Sequence, residues 1–245
     1  LKKVDFTLAK GDITINASKQ SVRGFVTYNF RVHEAIDTIK IDAQNMTFEN
    51  VLLDDKLVKF DNNKKELLII NSFKVGEYTL SLNYTAQPKQ ALYFIGSEAK
   101  DNLQIWTQGQ GRYTSNWFPS FDDVNEKMIF SLRVAFNSNY QVISNGRLTA
   151  KSTLDNTTTW NYEMQQPMSS YLLMLAIGKY SKKSENAKSG VVLENYYEPR
   201  DSARFEPTYR FSKEMFDYLE KQIGVKYPWE IYRQIPARDF LYAGM

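Results

Sequence analysis

The chain has no cysteine and a single histidine, His33, in 245 residues. These two scarcities exclude much chemistry. Disulfides are impossible. A Cys-His nucleophilic pair cannot exist, and a Ser-His-Asp triad would have to use His33. A catalytic zinc site usually draws three protein ligands from His, Cys and carboxylates, and one His with no Cys makes a poor donor set. His33 stands in Arg31-Val32-His33-Glu34-Ala35, at the end of a strand pattern, and reads as a partly exposed strand-end residue. Long apolar runs are also missing. The longest, Tyr171 to Ile177, falls well short of the ~18 residues that cross a bilayer and suits a buried strand. No basic run exceeds a pair and the net charge is only +3, so there is no nucleic-acid footprint and no polybasic membrane anchor. The chain begins at Leu1 rather than Met, which predicts that a segment precedes it.

What the chain does have is aromatic side chains, 16 Tyr and 15 Phe, residues that favour pleated, half-buried surfaces. Period-two patterns dominate the first 180 residues. Asp12 to Asn16 alternates, as does Phe25 to Val32. Tyr78, Leu80, Leu82 and Tyr84 share one parity, as do Met128, Phe130, Leu132, Val134 and Phe136, and then Trp160, Tyr162 and Met164. Such alternation places each set on one face of a half-buried sheet. Turn signals appear at Lys10-Gly11-Asp12, Asp61-Asn62-Asn63, Ser138-Asn139, Asn145-Gly146 and Asp155-Asn156. The pattern predicts a mainly β protein, a large antiparallel sandwich or barrel-like domain.

The polar stretch from Lys179 to Gly190 predicts a domain boundary near residue 184, with an all-β domain at 1–184 and the start of an α/β domain at 185–245. In the second part Val191 to Tyr197 reads as a strand. A helix is expected from about Ala203 or Pro207 to Ile223, with Phe211, Met215, Tyr218, Leu219 and Ile223 as its apolar stripe and Gly224 as its stop. Ile231 to Ile235 reads as a further strand.

Two segments are candidates for function. In Trp106-Thr107-Gln108-Gly109-Gln110-Gly111-Arg112, glycines between amides let a ligand approach the backbone. Gln108 and Gln110, two apart, leave the same face of an extended chain. Each amide offers an acceptor and two donors, suited to a peptide amine or a carboxylate; the same spacing also fits a polar loop that stitches strands together. It leads into Asn116-Trp117-Phe118-Pro119-Ser120-Phe121-Asp122-Asp123, where Pro119 reads as a packed turn. The second candidate is the terminal Tyr242-Ala243-Gly244-Met245. Three tripeptides, beginning at Asn45, Asn83 and Asn156, fit the glycosylation acceptor pattern, as chance would supply in a chain rich in Asn and Thr.

The glutamine segment, the Trp117 to Asp123 stretch with Lys127 and Phe130 after it, the Tyr227-Pro228-Trp229 turn and the terminal tetrapeptide together resemble the aminopeptidase N family of zinc metallopeptidases, which includes the leukotriene hydrolase branch. The resemblance runs in order along essentially the whole chain. It implies a saddle-like N-terminal β domain followed by a thermolysin-like α/β catalytic domain, of which residues 185–245 are the truncated start. It implies removal of N-terminal residues from peptides, with Gln108 and Gln110 as substrate-binding residues and Tyr242, Ala243, Gly244 and Met245 as part of a loop lying beside the substrate. The expected cofactor is zinc in the full-length parent, with none held by this chain and no catalytic residue within it. The expected partners are peptide substrates and the remainder of the chain's own catalytic domain. Departures from the family pattern fall at Gln110, where many members carry Glu, at Ser115 for an Arg, at Ser120 for Cys, at Asp123-Val124 for Glu-Pro, and at Ala243 for Gly. Two further readings stay open: a non-catalytic relative acting as an interaction scaffold, and an unrelated β-sandwich binding module, for instance for glycans, with Trp106 and Trp117 as stacking platforms. The compartment is undetermined between cytoplasmic and exported.

Overall fold

The computed structural model describes residues 3–240. The largest sheet is built on the two long strands Val4–Asn16 and Ser21–Val32, whose alternate residues are buried. Outward from these it runs through Lys127–Asn137, Thr157–Glu163 and Arg147–Leu154 on one side. On the other it runs through Gly76–Ala86, Thr47–Leu53 and Lys56–Leu57. Pairing is antiparallel except between Val4–Asn16 and Lys127–Asn137, which run parallel. A three-stranded sheet of Ile36–Asp42, Glu66–Phe73 and Lys59–Asn62 accompanies it. So does a four-stranded sheet in the order Gln141–Ser144, Leu175–Gly178, Gln104–Thr107 and Leu92–Ile95. Their inner faces share one core in which Trp117, Trp160, Tyr28, Tyr84, Phe118 and Phe130 are fully buried.

Lys10-Gly11-Asp12 is not a turn. It lies inside the first strand, where Gly11 pairs with Val26 and Leu132. A Cβ on Gly11 would stand 2.7 Å from the Phe118 ring, so this glycine serves packing and not chain reversal. Tyr171 to Ile177 is likewise not one strand. A 3-10 turn occupies Ser170–Leu172 and the strand begins at Leu175. Side chains capture the intervening backbone: Asn145 Oδ1 accepts from the N–H of Met174 at 2.6 Å, and Thr107 Oγ1 from that of Leu175 at 2.8 Å.

From Ser181 onward the chain forms a sheet of its own, Ser181–Asn186, Val192–Tyr197 and Ile231–Gln234, the last pair parallel. The polar stretch near residue 184 is the exposed outer strand of a hairpin. The expected helix is two pieces, Phe205–Tyr209 and Ser212–Ile223, and the second ends on Gly224 at φ 75°. Its buried residue is Phe216, packed with Ala187, Val191 and Leu193. The apolar stripe is exposed, from 53% at Leu219 to 69% at Ile223. Period 3.6 correctly marks an apolar face, but among the described residues nothing covers it. No described helix is long and apolar enough to cross a membrane.

A buried ion pair inside this sheet, between Val192–Tyr197 and Ile231–Gln234, turns a guanidinium toward the rest of the molecule. Arg233 Nε donates to Glu194 Oε2 at 2.7 Å, with side chains only 7% and 9% exposed. The same guanidinium reaches the carbonyls of Ser144 and Gly146 at 2.9 and 2.6 Å. Burial opposes the charge on Glu194, but Lys182 and Arg233 together hold its carboxyl below the ordinary range.

Candidate substrate-recognition site

All four residues of the strand Gln104–Thr107 are buried. The strand ends at Thr107, and the next N–H, that of Gln108, donates to Ala91 at 2.8 Å. The chain then turns tightly. A Cβ on Gly109 would meet Thr114 Oγ1 at 2.6 Å and the Tyr171 carbonyl at 2.7 Å, so only glycine fits. Gly111 and Arg112 follow at φ 92° and 76°. The two amides, two residues apart, touch: Gln108 Nε2 donates to Gln110 Oε1 at 3.4 Å. Gln108 is 2% exposed, whereas Gln110 lies at the surface. The pair is thus one anchored amide and one accessible amide, joined by a long bond that leaves both able to take other partners. Tyr242, Ala243, Gly244 and Met245 lie outside the described residues.

The segment after the turn is a buckle between sheets. Thr114–Asn116 forms a buried 3-10 turn, and Thr114 Oγ1 donates to the Ser170 carbonyl at 3.0 Å. Tyr84 donates its phenol proton to the Trp117 carbonyl at 3.0 Å, and Tyr28 donates to that of Pro119. Burial raises both phenols well above their ordinary value. Asp42 and Ser120 exchange backbone hydrogen bonds of 2.8 and 3.0 Å, and Gln44 N donates to Ser115 at 2.8 Å. Pro119 is buried but is not in a turn, lying between a bend at Phe118 and the bridge at Ser120. Trp117 has no exposed surface and Trp106 only 3%, which removes both as glycan-stacking platforms.

Two carboxyls sit under this buckle. Asp42 Oδ2 accepts from the N–H of Asp122 at 2.8 Å, and Asp122 Oδ2 accepts from Ser115 Oγ at 2.5 Å. Burial pushes Asp122 up to about 6, aided by the charge of Asp42 and opposed by the Ser115 hydrogen bonds and Arg112. Asp42 is raised for the same main reason. Where Ser115 replaces the Arg expected from the resemblance, Asp122 has a hydroxyl partner instead of a salt bridge.

The strand of the amide pair also holds residues that sequence reasoning did not single out. Gln104 Oε1 accepts from the N–H of Arg238 at 2.8 Å, and Gln104 Nε2 donates to Glu198 Oε1 at 2.9 Å. Trp106 Nε1 donates to the Arg238 carbonyl at 3.0 Å, and the Trp106 and Phe240 rings lie 5.0 Å apart. The one available signal was Gln104 itself, an amide inside an otherwise apolar strand. His33 is exposed just beyond the end of its strand. Among the described residues, no group of three His, Cys, Asp or Glu side chains could hold a metal ion.

Comparison with known proteins gives the family and the fold. The chain is 27% identical over 231 residues to a protein named probable aminopeptidase 1 of Sulfurisphaera tokodaii, covering 90% of this chain and 29% of that protein. It is 24% identical over 243 residues to aminopeptidase N of Lactobacillus helveticus, covering 95% and 28% respectively. The chain thus spans less than a third of the length of these two relatives. The fold matches that of the M1 zinc metallopeptidase of Deinococcus radiodurans with a TM-score of 0.84 at 16% identity, covering 98% of this chain and 58% of that one. A mutant of that enzyme has been solved with a Tyr-Ser-Ala substrate. The Peptidase M1 N-terminal domain family matches residues 10–172, which sets aside the reading of an unrelated sandwich module. With well over half of its length matched, the chain belongs to the M1 peptidase family.

Proposed function

We propose that this chain forms the substrate-recognition part of a metallo-aminopeptidase, the whole protein removing N-terminal residues from peptides. In this reading residues 1–184 are the N-terminal β domain and 185–245 the beginning of the catalytic domain. Gln108 and Gln110 face the cleft and hold the first residue of the peptide. Gln110 presents its amide to the ligand, and the buried Gln108 holds that amide in place. Tyr242, Ala243, Gly244 and Met245 run beside the peptide, where small residues permit backbone-to-backbone approach. The observation that carries the reading is the convergence on one buried strand: the Gln108–Gln110 amide contact leaves its end, while Trp106 within it holds Arg238 and Phe240. The stretch leading toward the terminal tetrapeptide thereby lies against the strand that precedes the amides.

Zinc, which the names of the structural relatives carry, does not fit the described residues, since they offer no three-ligand group. Its ligands in the whole protein lie elsewhere, and this chain's task is to orient the peptide. The exposed apolar face of Ser212–Ile223 is the surface on which the remainder of the catalytic domain packs. Kinetics on several peptide amides test the assignment. Replacing Gln110 by Ala in the whole protein removes one polar contact to substrate, worth about 1–3 kcal/mol when a partner is left unpaired. Catalytic efficiency should then fall by about 5- to 150-fold. An unchanged value across the panel refutes the role.

A further inference from the structure

We propose that Gln104, Glu198 and Arg238 are positioning residues, a clamp that seats the stretch Pro236–Phe240 on the strand carrying the amide pair. The inference rests on the aminopeptidase reading for its purpose and on geometry for its existence. Three side chains converge on Glu198: Gln104 Nε2 at 2.9 Å, Arg238 Nε at 3.3 Å and an Arg200 terminal nitrogen at 3.0 Å. Glu198 and Arg238 are only 17% and 25% exposed, so the charges meet where water screens them weakly. The Arg238 guanidinium also donates to the Asn102 carbonyl. Its backbone is held on both sides, N–H to Gln104 Oε1 at 2.8 Å and carbonyl to Trp106 Nε1 at 3.0 Å. Tyr180 adds a bond from its phenol to the Pro236 carbonyl at 3.1 Å.

The contacts have a direction. Arg238 lies against Gln104 and Trp106, and Phe240, two residues on, lies against Trp106. The stretch therefore advances along the strand toward Gln108. Between them Asp239 adopts φ 55°, a left-handed kink that Asp tolerates better than most residues. This five-residue stretch has no helix or strand of its own, and side chains of Gln104, Trp106 and Tyr180 hold its backbone in position. In the aminopeptidase reading the clamp sets the spacing between the amide pair and the substrate loop. Sequence alone scatters its members over 135 positions, Gln104 to Arg238, so no local motif announces it.

The test uses Glu198→Ala, Glu198→Gln and Gln104→Leu. In the 245-residue chain, the indole N–H resonance of Trp106, assigned with Trp106→Phe, reports the bond to Arg238, and amide exchange at Arg238 reports its bond to Gln104. Glu198→Ala should move the Trp106 resonance toward that of a free indole and speed exchange at Arg238 by about tenfold. Glu198→Gln keeps an acceptor for Gln104 and should hold both near wild type. Gln104→Leu should reproduce the Ala phenotype even if Glu198→Ala fails to fold. In the whole protein, Glu198→Ala should raise KM for peptide amides by about tenfold with kcat within about twofold, and Glu198→Gln should rescue it. An unmoved Trp106 resonance with unchanged Arg238 exchange in both disruptive variants overturns the clamp. So does a KM that stays put while those signals change. If Gln108→Ala and Gln110→Ala leave KM unaltered while Glu198→Ala raises it, the clamp stands and the amide assignment falls. If the whole protein hydrolyses no peptide amide, the aminopeptidase reading falls and the resonance and exchange decide the clamp.

Discussion

Asp122 should make the protein less stable as pH rises, and replacing it with Asn should reveal by how much. Its carboxyl is pushed from the ordinary 3.8 to about 6, first by burial and then by the neighbouring charge of Asp42, against the opposing effects of Ser115 and Arg112. Below pH 3.8 the carboxyl is protonated in both the folded and the unfolded chain, and its contribution to stability is fully present. As pH rises through about 6 the unfolded chain has already ionised at little cost, while the fold must carry a charge with a hydroxyl and a backbone N–H as its nearest partners. Stability is lost across that window. The interval from 3.8 to about 6, at about 1.36 kcal/mol per pH unit, sets an upper bound near ~3 kcal/mol. Asp122 keeps part of its surface in water, and screening trims the figure to about 1–2 kcal/mol. Asn is nearly isosteric, and its amide can still pair with Ser115. Urea unfolding of wild type and Asp122→Asn at pH 4, 5, 6, 7 and 8 gives the comparison. The two proteins should converge toward pH 4, and the variant should be the more stable by about 1–2 kcal/mol at pH 8. A difference that is flat with pH, or a variant that is less stable at pH 8 than at pH 4 relative to wild type, refutes the electrostatic account of this buckle.

Gly109→Ala places a methyl group against the Thr114 hydroxyl and the Tyr171 carbonyl; the backbone must shift, and thermal or urea unfolding should register a loss of about 1–3 kcal/mol. Arg233→Met removes one partner of a buried pair and strands the carbonyls of Ser144 and Gly146, which should cost about 3 kcal/mol in the same assay. Met215→Glu together with Ile223→Lys alters only exposed positions; unfolding of the 245-residue chain should change by no more than about 0.5 kcal/mol, while binding of a hydrophobic dye falls. The 245-residue chain, with one His, no Cys and no three-ligand group among its described residues, should take up no stoichiometric zinc and hydrolyse no aminoacyl amide; one zinc per chain by elemental analysis contradicts this.

The strands were legible wherever one face meets the core and the other meets water, because that asymmetry writes a period of two into the sequence. Gly76–Ala86 and Lys127–Asn137 follow their parity closely. Legibility failed where one residue type serves two purposes. Gly11 carries the mark of a turn, yet it stands inside a strand to admit the Phe118 ring. The strand Ser181–Asn186 showed only as a change of composition because an exposed edge strand has no apolar side to show. The apolar stripe ending at Ile223 was legible as an apolar face, though periodicity does not report what covers it. The amides of Gln108 and Gln110 could be picked out from their spacing, but not that one would be buried and the other exposed. Glu198 and Arg238 could not be picked out, since only folding brings them to Gln104.

The account depends most on Gln110 presenting an amide to the first residue of a peptide from beside the strand Gln104–Thr107. A structure of the whole protein with a bound peptide amide measures this directly. The Gln110 side-chain amide should lie within hydrogen-bonding distance, about 2.7–3.2 Å, of the peptide's amino-terminal residue, with Gln108 behind it. A peptide seated elsewhere, with Gln110 turned to solvent, contradicts it.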